Sequence, residues 1–504
     1  MPEPADNLSG TQTVYLETMG CQMNVLDSEL VIGQLRRMGY RSIEDMKRAD
    51  LVLLNTCSVR QHAEDKVYSR LGELVRPKEE RPDMIVGVIG CMAERDTDGL
   101  THAGVAVDLL CGPGELNQIP GLIAEIQESR IRAVALSRDK TRKTPAVDRG
   151  LLYDSVEALD LAREPQPGQS VVQSYIRVQR GCDKFCTFCV VPFTRGPERS
   201  RPPQHLVDEA KMLADRGAKE ITLLGQTVNS YVNRDAEGKA VSFADLLYRL
   251  HEVDGIERIR FVTSYPGDWD DDIFIAMRDL PKVCEYLHIP AQSGSNSVLK
   301  RMKRQYTVEG YVELMDRARQ IVPNISLAGD FIVGFCGETD EDFAQTVRLV
   351  ERIQYKSIFV FKYSPRPGTV ADKGIEDDVL ESVKRQRNNE LLKVQQAISL
   401  ANNQRRIGQT VEVLVEGYSK AALKAQEAEQ TRGQEVGWRK SNQLVGRTRG
   451  DQIVVFEAGP EYIEQLVPVE ITAATALTLH GKPAEGGPAP RPTDRRISLP
   501  TLSV

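Results

Sequence analysis

The fold of this chain is read outward from one stretch, Arg180-Gly181-Cys182-Asp183-Lys184-Phe185-Cys186-Thr187-Phe188-Cys189. Its three thiols stand in a C-x3-C-x2-C spacing, just after the run Tyr175–Gln179, which reads as a strand, so they open a loop. Such a loop supplies three thiolates at once. A cubane iron–sulfur cluster has four irons, so three protein ligands leave one iron open to chelate an amino and a carboxylate group. A zinc site is the competing reading, but structural zinc wants four ligands and usually two C-x2-C pairs, and the sequence has no second pair.

Around this loop runs a strand–helix series. Its expected strands are Tyr175–Gln179, Glu220–Leu224, Arg258–Val262, Val283–Ile289, Ile325–Val333 and Ser357–Tyr363, with helical stretches between them. Six such units predict a partial or complete β/α barrel with its chemistry at the C-terminal ends of the strands. A second series precedes it. Thr13–Thr18, Leu51–Leu54, Met84–Ile89 and Ala106–Leu110 read as strands, and continuous apolar runs of this kind predict a doubly wound parallel sheet covered on both faces. Asp27 or Ser28 is expected to cap the first helix, which carries Leu30, Val31, Leu35 and Met38 and stops at Gly39.

Cys21, Cys57 and Cys91 each lie just past one of these strands, at the edge where ligand crevices form in such sheets. Taken singly, each reads as a small buried residue. Cys111 also follows a strand, and strand order decides whether it joins the others. The remaining cysteines, Cys284 and Cys336, are isolated.

Beyond the barrel, a helix is expected from about Asp377 to Asn402, followed by the short strands Thr410–Glu416, Gln443–Thr448, Gln452–Phe456 and Leu466–Ala473, a small all-β module. The expected divisions are a flexible start at 1–12, units at 13–137, 172–402 and 403–481, a linker at 138–171 and a disordered tail at 482–504. The whole is 504 residues, 41% hydrophobic and 27% charged, with net charge −7, which excludes a histone-like basic protein but leaves room for basic patches. Such patches are Lys300-Arg301, Lys303-Arg304, Lys384-Arg385 with Arg387, and the stretch Trp438-Arg439-Lys440 through Arg447 and Arg449, which reads as an RNA-facing loop. Arg199 and Arg201 are candidates to reach a ligand carboxylate. No apolar run approaches the roughly 20 residues that span a bilayer, and the N-terminus lacks the pattern of a signal peptide, so a cytoplasmic protein is expected.

The triplet, with Phe188 before its third cysteine, resembles the radical S-adenosylmethionine (SAM) superfamily. The stretches Thr18-Met19-Gly20-Cys21-Gln22-Met23-Asn24, Leu54-Asn55-Thr56-Cys57-Ser58-Val59-Arg60, Gly90-Cys91-Met92-Ala93-Glu94-Arg95 and Thr194-Arg195-Gly196 look like those of MiaB-type tRNA methylthiotransferases. The resemblance implies two 4Fe-4S clusters, one on Cys182, Cys186 and Cys189, and an auxiliary one on Cys21, Cys57 and Cys91. It implies SAM contacts from Phe188, from Gly225 and Gln226, from Gln292 in His288-Ile289-Pro290-Ala291-Gln292-Ser293-Gly294, and from Ile332 and Gly334. It also implies that the C-terminal unit is a TRAM domain, an OB-like RNA-binding barrel. Two positions depart from the family pattern: Tyr265 stands where His is common, and Cys336 where Pro is usual.

The reaction implied is methylthiolation of carbon 2 of an isopentenylated adenosine beside the anticodon. A SAM-derived radical would open the C–H bond, sulfur would come from the auxiliary cluster, and a second SAM would donate the methyl group. The expected partners are the anticodon stem–loop of tRNA and a reductant such as flavodoxin or ferredoxin, with the protein itself a monomer. The alternatives are a sister methylthiotransferase acting on threonylcarbamoyladenosine or on a ribosomal-protein aspartate, and a non-catalytic RNA-binding protein with a structural metal.

Overall fold

The computed structural model describes residues 12–58, 61–102, 107–136, 157–160, 162–163, 170–432 and 442–484. Expectations for the extreme termini, for Val59-Arg60, for most of the linker and for Trp438-Arg439-Lys440 lie outside these residues.

The first unit is a parallel six-stranded sheet. Its strands are β1 (Thr13–Met19), β2 (Arg41–Ser42), β3 (Leu51–Thr56), β4 (Ile85–Gly90), β5 (Leu109–Cys111) and β6 (Ala133–Ala135), in the order β2-β1-β3-β4-β5-β6. Every residue of β3 and β4 is buried, as apolar strands covered on both faces must be. Leu51 and Leu53 pack with Val31 and Leu35 of helix α1 (Gln22–Arg37), while Val52 and Leu54 pack with Val67 and Leu71 of α2 (Gln61–Glu80).

Helix α1 corrects one expectation. Its N-cap is Cys21, six residues before Asp27. Asp27 and Ser28 lie inside the helix and are buried. Their polar groups are spent on tertiary partners: Ser28 Oγ lies 2.7 Å from Thr18 Oγ1, and Asp27 accepts from two arginines of the central unit. Cys111 differs as well, since it sits within β5 rather than after it.

The central unit comprises β7 (Gln173–Arg177), β8 (Gln179–Arg180), β9 (Arg199–Ser200), β10 (Glu220–Leu224), β11 (Val232–Arg234), β12 (Ala240–Ser242), β13 (Arg258–Phe261), β14 (Tyr286–His288), β15 (Ser326–Val333) and β16 (Ser357–Lys362). β7-β10-β13 and β14-β15-β16 are parallel three-stranded runs joined by the parallel bridge Ile259↔Val283, making a six-stranded partial barrel. Ile176, Ile221, Ile259, Phe331 and Ile358 point outward into the core shared with the surrounding helices. The intervening residues face the lumen, because side chains alternate along a strand. There Tyr175, Leu224 and Val262 form one apolar cluster with Met23, Leu26 and Leu30 of α1, so the first unit is seated on the lumen faces of the first three barrel strands.

The third unit is a closed five-stranded barrel of β17 (Thr410–Tyr418), β18 (Gln443–Thr448), β19 (Ile453–Glu457), β20 (Leu466–Ala474) and β21 (Thr478–Pro483), in the order β17-β18-β19-β21-β20. The last strand and a helix at Lys420–Arg432 were not foreseen, and Lys482 and Pro483, expected in the tail, belong to β21.

The β18–β19 hairpin closes the N-terminal end of the central barrel. Arg258 donates to the carbonyl of Arg447 at 2.9 Å, and Arg260 donates to that of Arg449 at 2.7 Å. Gln452 Nε2 donates to Ser326 Oγ at 3.0 Å, and Lys356 pairs with Asp451 at 2.7 Å. Here too an expectation fails. Arg447 is bound within the small barrel to Glu416 and Asp451, and Arg449 reaches across to Glu285 and the carbonyls of Pro281 and Val283, so one arginine serves the barrel and the other its docking instead of facing RNA. Among the described residues, no helix is long and apolar enough to cross a membrane.

Candidate active site

The triplet loop leaves β8 through Gly181, whose φ is +71°; a Cβ there would stand 2.0 Å from the carbonyl oxygen of Pro197, so only glycine fits. The loop is then pinned from several sides. Cys182 N–H donates to Gly196 O at 3.2 Å, Thr187 N–H donates to Met302 O at 3.1 Å, and Ala371 N–H donates to Thr187 O at 2.8 Å. All three cysteines are partly exposed. Burial pushes the Cys182 thiol up to about 11 and the Cys189 thiol up to about 12, each raised further by Cys186. Thiols whose anions are disfavoured in this way ionise against a cationic group, which is the chemistry of a metal-ligating set. Among the described residues, no three Cys, His, Asp or Glu side chains are drawn together as ligands of a single ion. In a multi-iron cluster each thiolate serves a different iron, so the three need not converge on one point. The donor set therefore fits the cluster, and three cysteines leave one iron without a side-chain ligand.

A second cysteine group is assembled by strand order. β1, β3 and β4 are neighbours in the sheet, and Cys21, Cys57 and Cys91 follow them in turn, Cys91 opening helix α3 (Cys91–Arg95). Cys57 N–H donates to Met19 O at 3.0 Å, and a Cβ on Gly20 would stand 2.5 Å from Cys57 Cβ, so the two loops touch. Asn24 holds the arrangement from below: its Oδ1 accepts from Cys21 Sγ at 3.1 Å, and its Nδ2 donates to Asn55 Oδ1 at 2.9 Å. A hydrogen bond from Cys57 brings the Cys21 thiol down to about 6 against burial, with the charge of Arg195 adding to the effect. Burial raises Cys91, opposed by Arg195. Cys111, one strand further on, is fully buried in the core beneath helix Ile119–Ser129 and stands apart from the three.

Arg195 belongs to the same loop system as the triplet, six residues after Cys189, yet its guanidinium serves the first unit. It donates to Asp27 at 3.0 Å and lies within electrostatic reach of Cys91 and Cys21. Asp27 also accepts from Arg177 at 2.8 Å, and Arg177 in turn binds Asp160 at 2.5 Å, with Arg177 wholly buried. Asp160 lies in the stretch expected to be linker. That expectation is corrected at 157–160 and 162–163, where buried Asp160, Arg163 and the neighbouring Glu157 complete the ion network. Arg201 does reach carboxylates, but they are the protein's own Glu157 and Glu209; Arg199 lies on β9.

The residues expected to contact SAM gather at the C-terminal ends of the barrel strands. Phe188 meets Phe335 edge-to-face at 6.2 Å, and Ile332 packs in the same apolar group. Gln292, at φ +67°, links two of them: its N–H donates to Asp330 O at 2.8 Å and its carbonyl accepts from Ile332 N–H at 2.9 Å. Gly334 donates its N–H to Glu338 and packs against Lys384. On the opposite run, a Cβ on Gly225 would stand 3.3 Å from Gln179 Oε1. Gln226 Oε1 and both amide atoms of Gln179 are buried without a hydrogen-bond partner. Each such group costs about 1–3 kcal/mol unless a ligand completes it.

The expected phosphate-tracking patches are largely absorbed by the fold. Arg301 donates to the carbonyls of Cys336 and Gly337, Lys384 pairs with Asp377, and Arg387 with Glu338 and Asp340. Arg304 donates to Cys186 Sγ at 3.1 Å. Its guanidinium lies over the rings of Tyr265 at 4.7 Å and Tyr306 at 5.1 Å, which gives Tyr265, the departure from the family pattern, a local role. Cys336 is buried in the apolar group of Phe335 and Tyr363. The roles of Asp27, Arg195 and Arg304 were not legible from sequence, because each is defined by partners at least one domain or one loop away.

Two family models match the chain: Uncharacterized protein family UPF0004 over residues 13–112, and the Radical SAM superfamily over residues 176–350. A tRNA-2-methylthio-N(6)-dimethylallyladenosine synthase from Rhodopirellula baltica is 48% identical over 478 residues, covering 94% of this chain and 96% of the relative. A protein of the same name from Thermoanaerobacter sp. is 40% identical over 488 residues, covering 96% of each. Among solved structures, the radical S-adenosylmethionine methyltransferase TsrM from Kitasatospora setae, with cobalamin and a 4Fe-4S cluster bound, aligns with a TM-score of 0.51 at 14% identity. That alignment covers 72% of this chain and 74% of that one, a likeness of fold.

Proposed function

The chain belongs to the tRNA-2-methylthio-N(6)-dimethylallyladenosine synthase family, and on that premise we propose that it methylthiolates carbon 2 of the N6-dimethylallylated adenosine beside the tRNA anticodon. Cys182, Cys186 and Cys189 hold the cluster that works with SAM, and Cys21, Cys57 and Cys91 hold a second 4Fe-4S cluster. When bound, these groups supply the one-electron chemistry that opens an unactivated C–H bond, the sulfur and, from a second SAM, the methyl group.

The protein's own contribution is placement. The observation that carries the reading is Arg195, which springs from the triplet's loop system and lies beside Cys21 and Cys91 while bound to Asp27. Arg195 thereby ties the loop that follows the triplet to the loops that carry Cys21 and Cys91. Gln226 and Gln179 offer unpartnered amides to the ligands. Helix α1, lying over part of the lumen, excludes water from it.

The functional units are the N-terminal sheet with its helices, the central barrel and the small barrel that runs to Pro483, the last serving as an OB-like TRAM module for RNA. The protein acts as a cytoplasmic monomer, with flavodoxin or ferredoxin as electron donor. The sister reactions on threonylcarbamoyladenosine or a ribosomal protein are not favoured, since the relatives are named for the dimethylallyl substrate.

The test is iron and sulfide content after anaerobic reconstitution, wild type against the Cys182/Cys186/Cys189→Ala variant, followed by nucleoside analysis of tRNA treated with wild type. About eight irons falling to about four, with 2-methylthio product from wild type, is the expected result. Four irons falling to none removes the second cluster and the reaction with it.

A further inference from the structure

Phe359 is 49% exposed although it lies on β16 of the barrel. Strand register shows which side chains share its face. His288 stands opposite Ala328, and Asp330, two residues further on, stands opposite Phe359. Their neighbours Phe331 and Ile358 point the other way, into the helix-packed core. His288, Asp330 and Phe359 therefore line the lumen. The lumen faces of the first three strands are occupied by α1 at its Met23, Leu26 and Leu30.

The three side chains form a fixed group. Thr263 N–H donates to His288 Nδ1 at 3.3 Å, so the neutral ring carries its proton on Nε2, which lies 3.0 Å from Asp330 Oδ1. The Phe359 ring meets the imidazole edge-on, with centroids 6.2 Å apart. The Asp330 side chain remains 24% exposed, and its carboxylate keeps acceptor capacity toward the lumen. An oriented acceptor beside an exposed aromatic face is the chemistry that reads a purine edge while packing its plane or its substituent.

We propose that this face is the subsite for the N6-dimethylallyl adenine, an inference that rests on the function proposed above. Asp330 accepts the one remaining exocyclic N6–H, and Phe359 packs against the base and its branched apolar group. The carboxylate also works against a competitor. A threonylcarbamoyl substituent carries its own carboxylate, which Asp330 repels, so one residue both selects the proper base and rejects the sister one.

The experiment measures equilibrium binding of anticodon stem–loop RNA to the anaerobically reconstituted full chain, comparing RNA that carries dimethylallyladenosine with the same RNA carrying adenosine. Wild type favours the alkylated RNA. Phe359→Ala loses about tenfold of that preference, the scale of one lost aromatic contact. Phe359→Leu, which keeps apolar bulk, loses less, and Asp330→Asn narrows the discrimination against threonylcarbamoyladenosine RNA. Equal binding of both RNAs by wild type overturns the subsite. So does an unchanged preference in Phe359→Ala at wild-type iron content, or a loss of SAM affinity in place of RNA preference. Whether wild type forms the 2-methylthio product decides the parent reading independently.

Discussion

Arg304 Nη1 lies 3.1 Å from Cys186 Sγ, with the guanidinium packed over the rings of both Tyr265 and Tyr306. A buried cation that donates to a cluster thiolate withdraws electron density from it and favours the reduced cluster. Arg304→Gln is expected to retain iron but shift the midpoint potential of the triplet's cluster to a more negative value. Tyr265→His, which restores the residue common in the family, shifts it less. A redox titration followed by electron paramagnetic resonance checks both, and an unchanged potential in Arg304→Gln refutes the role.

Asp27 joins Arg177 and Arg195, and each of the three is almost wholly buried. Removing the carboxylate leaves two buried guanidinium groups facing one another. Asp27→Ala is expected to cost on the order of 3–5 kcal/mol, the usual penalty for orphaning a buried charge. The readout is the thermal transition of the protein, together with iron content, since the same residue ties the two cysteine groups together.

Gly181→Ala puts a methyl group 2.0 Å from a backbone carbonyl at a residue with φ +71°. The triplet loop cannot keep its path, whereas the sheet that carries Cys21, Cys57 and Cys91 is untouched. Reconstitution should yield about four irons in place of about eight. A full complement would show that the loop tolerates displacement.

Asp451 supplies a pH dependence. Burial opposes its ionisation, but Lys356, Arg447 and Arg260 outweigh that and hold the carboxyl at about 2, against an ordinary value of 3.8. A depressed carboxylate stabilises the fold above its unfolded value, and the contribution is lost as pH falls from about 4 through about 2. At neutral pH it amounts to roughly 2 kcal/mol. Asp451→Asn should therefore melt below wild type at pH 6, and the gap should shrink as the pH is lowered toward 3. A constant gap would place the effect in packing instead of charge.

Several of the misreadings that bear on the site fall on charged residues. Asp27 has the composition of a helix cap, Arg447 and Arg449 that of an RNA-binding loop, and Arg304 that of a phosphate tracker. Asp27, Arg304 and Arg449 are buried or docked against partners more than a hundred residues away in sequence, and Arg447 is paired inside its own barrel with Glu416 and Asp451. A charged side chain reads as exposed until its counterion is located, and no local pattern carries that information.

The sequence by itself determined the three-unit α/β architecture, the β/α alternation and the Cys182, Cys186 and Cys189 group, because strand periodicity, apolar runs and ligand spacing are local properties of the chain. Tertiary structure alone decided that β1, β3 and β4 are neighbours, which gathers Cys21, Cys57 and Cys91 and leaves Cys111 in the core. It also decided that the small barrel closes the floor of the large one, and that Arg195 reaches back to the first unit. Strand order and domain docking are set by long-range burial and charge pairing, and these exist only once the chain has folded.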